Sequence, residues 1–294
     1  MQIVIDSNRM HSEELRAFLL LSSGNKAVIP DYMAMESFHL GTPASIGESW
    51  AVLKDFPTQI LVLKGNWDAC LVDPCTVSFT DGFIDKEQTA GFRDFPSILA
   101  RAKAGDGNIQ SQLSERIKIA DDYATRILRK AENMKVDIAA FSSAFTKDEI
   151  RRMRLKETWK QTTAEKFFEI VFRLTERSFD AHPDKPKWPH HEHVFNHFLY
   201  RHSLAHCVYL MWLVSQGRVQ RKATNARNDA IDIVAATFAT YFNGFMSNDD
   251  QASCIHHRTR FLLKQQGAFL PEDYLDRYVI NIADFLDNAY RTGG

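Results

Sequence analysis

Disulfide scaffolds and zinc ribbons are the first classes excluded, because the sequence has only four cysteines in 294 residues. Cys70, Cys75, Cys207 and Cys254 are too sparse for a stapled secreted fold and lack the paired CxxC spacing of a zinc site. Thiols so placed are read as reduced, in a cytoplasmic protein. Long apolar runs are missing too, and the opening residues carry neither a basic region nor an extended apolar stretch. The expectation is a soluble intracellular chain with no membrane partner. Net charge is nearly absent, with 36 Lys and Arg against 37 Asp and Glu. The field of the whole molecule therefore draws in no polyanion, and such a partner needs a local basic patch. No internal repeat or low-complexity tract is present. What remains is a chain long enough for one large domain or two ordinary ones, with apolar residues sufficient for a core.

What is there begins with short apolar runs alternating with helical patterns over residues 1–72, the signature of a parallel sheet with crossover helices. Gln2 to Ile5 reads as the first strand. His11 to Ser22 sets Leu15, Phe18, Leu19 and Ser22 at helical spacing, and Gly24-Asn25 ends that helix before a second strand, Lys26 to Ile29. Asp31, after Pro30, reads as the cap of a helix running through Met35 and Glu36. A helix over Ser45 to Leu53 and a strand over Gln59 to Leu63 complete a βαβαβ series.

From Asp73 helical periodicity replaces strands. Ile109 to Lys135, Lys147 to Lys160 and Ala164 to Arg177 are amphipathic, and Val194 to Val214 is apolar enough for a buried helix. A stretch containing Pro183, Pro186 and Pro189 separates the last two. After Gly217 the earlier pattern returns: a helix from Asn228 to Tyr241, a strand Gly244 to Ser247, then helices over Cys254 to Gln265 and Pro271 to Tyr290. The expected organisation is an α/β unit in two parts, 1–72 and 221–294, with an all-helical insertion at 73–220.

Carboxylates fall where such a sheet binds ligands. Asp6 follows Ile3-Val4-Ile5 at the C-terminal end of a parallel strand, and Asn248, Asp249 and Asp250 follow the last strand in the same relation. Glu36 lies in the helix after the second strand, and Asp229 and Asp232 share a helical face. Acids crowded together raise one another's pKa and destabilise the fold unless a cation neutralises them. Oxygen donors without His or Cys favour Mg²⁺ or Mn²⁺ over zinc, and such ions promote phosphodiester hydrolysis.

The stretches IVIDSN, VIPDYMAMESF and RNDAIDIVAATFATYFNGFMSNDD resemble the successive motifs of PIN domains, over residues 1–70 and 222–265. The resemblance implies a PIN-like (Rossmann-like) parallel sheet flanked by helices, and a metal-dependent nuclease, specifically an endoribonuclease using Mg²⁺ or Mn²⁺. It places Asp6, Glu36 and Asp249 at catalytic metal-site positions and assigns the late-helix position to Asp229 or Asp232. Asp232 is preferred, since a helix beginning near Asn228 could use Asp229 as a cap. Asp250 stands beside the metal set. Ser7, Asn8 and Ser247 would line the site, Ser247 as the small polar residue that PIN domains carry there. Toxin–antitoxin systems, phage defence and RNA processing are the settings the family suggests.

Basic residues offer a means of holding phosphates. Arg151, Arg152, Arg154 and Lys156 form the densest group, and Arg218, Arg221, Lys222 and Arg227 lead into the acidic helix. Of these Arg221, Lys222 and Arg227 are the expected substrate contacts, with Asn8 and Ser247. His193 and His197, and His202 and His206, stand at the i,i+4 spacing of metal ligands, although a hydrogen-bonded core role is the more ordinary one. Arg201 to His206 also resembles the R-x4-H motif of HEPN ribonucleases, which cleave without metal. Two alternatives thus stand beside the metal-dependent nuclease: an inactive PIN-like scaffold, and a HEPN-type ribonuclease using Arg201 and His206. The expected partner is nucleic acid, RNA in the first place, with the insertion selecting substrate or a protein partner or inhibitor. Oligomeric state is left open, a homo-oligomer included.

Overall fold

The structure is a computed structural model that describes residues 1–38, 42–131, 134–155, 157–217 and 223–274. Its first part runs β1 (Gln2–Ile5), α1 (Glu13–Leu21), β2 (Lys26–Ile29), α2 (Asp31–Phe38), α3 (Pro43–Ser49) and β3 (Ile60–Val62). The strands are short and apolar, with Ile3, Val4, Ile5, Ala27, Val28 and Ile29 fully buried. Ser12 opens α1 by accepting a 3.2 Å bond from the Leu15 amide, Glu13 and Glu14 favour its positive end, and Leu15, Phe18 and Leu19 face the core. Thr42 and Ser45 form a reciprocal capping box at α3, with Pro43 in its first turn.

The middle part contains α4 (Asn66–Ala69), α5 (Lys86–Gly91), α6 (Phe95–Lys103), α7 (Gly107–Ala131), α8 (Met134–Ser143), α9 (Lys147–Arg154), α10 (Gln161–Ala181) and α11 (Phe198–Ser215). The chain ends its described course with α12 (Ala223–Ala239), β4 (Phe245–Met246) and α13 (Asp250–Gln265). Among the described residues the four strands form one all-parallel sheet in the order β3-β2-β1-β4. The first three strands step outward in one direction and β4 joins on the opposite side of β1. The order therefore reverses between β1 and β4, and the crevice beyond their C-terminal ends is where open α/β sheets place ligands.

Several expected boundaries shift for local reasons. Of the amphipathic run Ile109 to Lys135, the part up to Ala131 lies on α7 and Met134 and Lys135 lie on α8, residues 132 and 133 being outside the described residues. Another, Lys147 to Lys160, stops at Arg154, where the Leu155 amide closes the last turn on Arg151. In α11 His197 is the cap, its Nδ1 accepting from the Leu199 amide at 3.2 Å, so the expected start at Val194 becomes a 3-10 turn over His191–Asn196. The last two helices begin earlier than expected, α12 at Ala223 and α13 at Asp250. Asp31 is the first residue of α2. The expected helix over Pro271 to Tyr290 lies outside the described residues from 275 onward.

Two large cores result. One surrounds the sheet and includes Phe79, Phe83, Phe92, Leu99 and Phe198 from the segment expected as an insertion. The other lies among the helices, centred on Tyr200, Leu204, Val208 and Phe167. Helix α12 joins them, with Val234, Ala235, Phe238 and Ala239 in the first and Ile233 and Ala236 in the second. The packing is thus continuous between the sheet and the helical segment. No helix among the described residues is long and apolar enough to cross a membrane.

Candidate metal centre

Asp6 extends the β1–β4 ladder by one step, its amide donating to the Met246 carbonyl at 3.0 Å. That bond fixes a carboxylate directly at the strand-order reversal. The side chain is buried, 4% exposed, and its Oδ2 accepts from Asn8 Nδ2 at 2.7 Å and Ser247 Oγ at 2.5 Å. Asn8 Oδ1 in turn accepts from the Asn248 amide at 3.1 Å, and Ser247 Oγ accepts from the Asp249 amide at 3.0 Å. Asn8 and Ser247, the expected substrate contacts, turn these polar atoms toward Asp6 and the β4–α13 loop. Residues 240 or more positions apart are locked together by these bonds.

Asp249 caps α13, its Oδ1 accepting from the Gln251 and Ala252 amides at 2.7 and 2.9 Å. The residue is exposed, and its Oδ2 accepts no hydrogen bond among the described residues. Glu36 is half-buried on α2, close enough for its charge to act on both Asp6 and Asp232. Burial raises the Asp6 pKa, the Ser247 hydroxyl opposes that rise, and the charges of Glu36 and Asp249 add to it.

Asp232 is the most perturbed of these acids. Its pKa is pushed up to about 8, first by burial and then by the charges of Asp6, Asp249, Asp229 and Glu36. Four other carboxylates, from both ends of the chain, therefore bear on Asp232, and no hydrogen-bond donor among the described residues offsets them. Asp229 differs. It lies inside α12, which rules out a cap, and its buried oxygens accept from Tyr209 at 2.7 Å and Gln251 at 2.7 Å. Asp250 is exposed and is the first residue of α13.

An oxygen-only donor set has the chemistry that a hard divalent cation takes, and such an ion would relieve the repulsion among these acids. The acids are more widely spread than a single-ion cage. Among the described residues the group of three whose ligand atoms all lie within 4.8 Å of one another is His190, His191 and Glu192, on an exposed turn.

Arg221, Lys222, Arg218 and Lys156 lie outside the described residues. Arg227 donates to Asn228 Oδ1 at 3.2 Å. Arg151 and Arg152 pair with Asp148 and Glu157, and Arg154 donates to the Val214 carbonyl. His197 is buried against Phe179 and lowered to about 4 by burial. His202 stacks on Phe198, and burial also lowers His206.

Arg201 is fully buried. Its guanidinium donates to Phe195, Thr240 and Phe269 carbonyls, to Thr240 Oγ1 and to Asn196 Oδ1, and lies 4.0 Å over the Tyr241 ring. The Arg201/His206 reading therefore finds no phosphate-facing guanidinium here.

Sequence reasoning passed over Tyr209 and Gln251, whose link to Asp229 runs across three helices and leaves no one-dimensional signal. It also passed over a second acidic group along the rim. There Asp31 is raised by burial and by Asp85 and Asp68, and lowered by Arg116. Comparison of the chain with protein-family models, with curated proteins and with solved structures returned no match.

Proposed function

We propose that this chain is a PIN-like nuclease that hydrolyses phosphodiester bonds, RNA first among its substrates, with Mg²⁺ or Mn²⁺ held by Asp6, Glu36, Asp232 and Asp249. Support comes from the all-parallel sheet, the strand-order reversal between β1 and β4, and the carboxylates assembled at it. The single observation that carries the reading is Asp232, an acid acted on by four other acids and held by no hydrogen-bond donor among the described residues. A bound divalent ion would polarise a water for in-line attack and offset charge on the leaving oxygen. The chain's own part is to orient the donors. Asn8 and Ser247 fix the rotamer of Asp6, and the α13 cap fixes Asp249.

A cytoplasmic setting is proposed with it, supported by four unpaired cysteines. The helical segment is proposed as the part that selects substrate or a protein partner. No observation favours the metal-independent alternative, since Arg201 is enclosed by carbonyls and an aromatic ring.

The test is cleavage of labelled RNA and DNA panels in Mg²⁺, Mn²⁺ or EDTA, by the natural chain and its Asp6→Asn variant. Cleavage that needs the ion and is lost in the variant supports the reading. Cleavage in EDTA removes the metal-dependent mechanism, and no cleavage under any condition favours an inactive scaffold.

A further inference from the structure

Asp229 and Asp232 stand one turn apart on α12 but meet different surroundings. Asp229 is 3% exposed, with Tyr209 Oη donating to its Oδ2 at 2.7 Å and Gln251 Nε2 to its Oδ1 at 2.7 Å. Tyr209 belongs to α11, Asp229 to α12 and Gln251 to α13, so one carboxylate joins three helices. Enclosure among helices makes such short hydrogen bonds stronger than they would be in water. Gln251 does more than hold Asp229. Its backbone amide donates to Asp249 Oδ1 at 2.7 Å, so the same residue is fastened to Asp229 by its side chain and to Asp249 by its main chain. A continuous line of bonds thus runs from Tyr209 through Asp229 and Gln251 to Asp249.

We infer that Asp229 is a positioning residue and not a cation ligand: clamped by Tyr209 and Gln251, it lets helix α11 of the helical segment set the placement of Asp249 opposite Asp232. The inference rests on the metal-site reading proposed above. A ligand carboxylate must turn a lone pair toward the ion, which Asp232 can do because no donor of the described residues holds it. Both oxygens of Asp229 are already directed at partners within the helical layer. Loss of a partner that orients a ligand typically costs about 10–100-fold in metal affinity without removing the site. That is the behaviour expected of the clamp.

The experiment is Mn²⁺ binding to the full chain, followed by the electron paramagnetic resonance signal of the free ion, with thermal unfolding in EDTA measured in parallel. Tyr209→Phe and Gln251→Met each delete one donor. Both are expected to raise the Mn²⁺ Kd by about 10–100-fold, with stoichiometry at saturation unchanged, whereas Asp232→Asn lowers the stoichiometry. The two clamp variants provide independent checks if one folds poorly. Unchanged Kd in a folded Tyr209→Phe and a folded Gln251→Met would leave the clamp a purely structural device and overturn the inference. Lowered stoichiometry in Asp229→Asn, matching Asp232→Asn, would make Asp229 a ligand and overturn it as well. A natural chain that binds no Mn²⁺ overturns the site reading itself, and the inference with it.

Discussion

Ser247 donates a 2.5 Å hydrogen bond to the carboxylate of Asp6, across 241 positions of sequence. This contact, with the Asn8 bond to the Asn248 amide, holds the ends of β1 and β4 at one place. Removing either donor is expected to loosen Asp6 without unfolding the sheet, since the strands keep their own ladder bonds. Ser247→Ala and Asn8→Ala should each weaken Mn²⁺ binding by about 10–100-fold, read by calorimetric titration. Affinity equal to the natural chain in both variants would mean that Asp6 is oriented by something else.

Asp6→Asn should reduce ion-dependent cleavage below detection while leaving far-ultraviolet circular dichroism unchanged. Replacing a buried, charge-crowded acid by a neutral isostere also removes repulsion from Glu36 and Asp249. The variant is therefore expected to melt at the same temperature as the natural chain in EDTA, or higher. A fall in melting temperature together with an unaltered cleavage rate would assign the residue a structural role.

The pH dependence follows from Asp232. Its pKa in the folded protein is about 8 against an ordinary 3.8, so the folded chain retains a proton that the unfolded chain releases between those values. A raised folded-state pKa contributes stability that is present below the unfolded value and lost as pH rises through the folded one. In EDTA the natural chain should therefore lose stability between about pH 4 and pH 8 relative to Asp232→Asn, by on the order of a few kcal/mol. Mn²⁺ affinity should rise over the same window, because the ion must displace the proton. Urea unfolding at stepped pH checks this, and parallel curves for the two proteins would contradict it.

Arg201 supplies a control. Its donors hold carbonyls from three separate segments, so Arg201→Ala should cost on the order of 3 kcal/mol or more, seen in urea unfolding. Lysine should not restore the loss, since it lacks the planar fork of donors. Stability equal to that of the natural chain would show that the buried network contributes little.

The strands were legible to within about a residue or two, because apolar runs such as Ile3-Val4-Ile5 and Ala27-Val28-Ile29 are local signals. The acids at strand ends were legible for the same reason, as Asp6 and Asp249 directly follow or flank those runs. The division of labour between Asp229 and Asp232 was not. It depends on α12 starting at Ala223 and on side chains arriving from α11 and α13, neither of which periodicity records. Arg201 to His206 showed the converse, a spacing that suggested chemistry while burial makes the arginine part of the core. The segment 73–220 was legible as helical, yet Phe79, Phe83 and Phe198 also complete the core of the sheet, a tertiary fact absent from their spacing.

Crystals soaked in Mn²⁺ and measured at the manganese absorption edge would locate the ion outright. The expected result is anomalous density among the carboxylates of Asp6, Glu36, Asp232 and Asp249, with Asp229 outside its reach. No peak at that rim, or a peak only at the exposed His190, His191 and Glu192 turn, would contradict the assignment of a catalytic cation to the acids joined by β1 and β4.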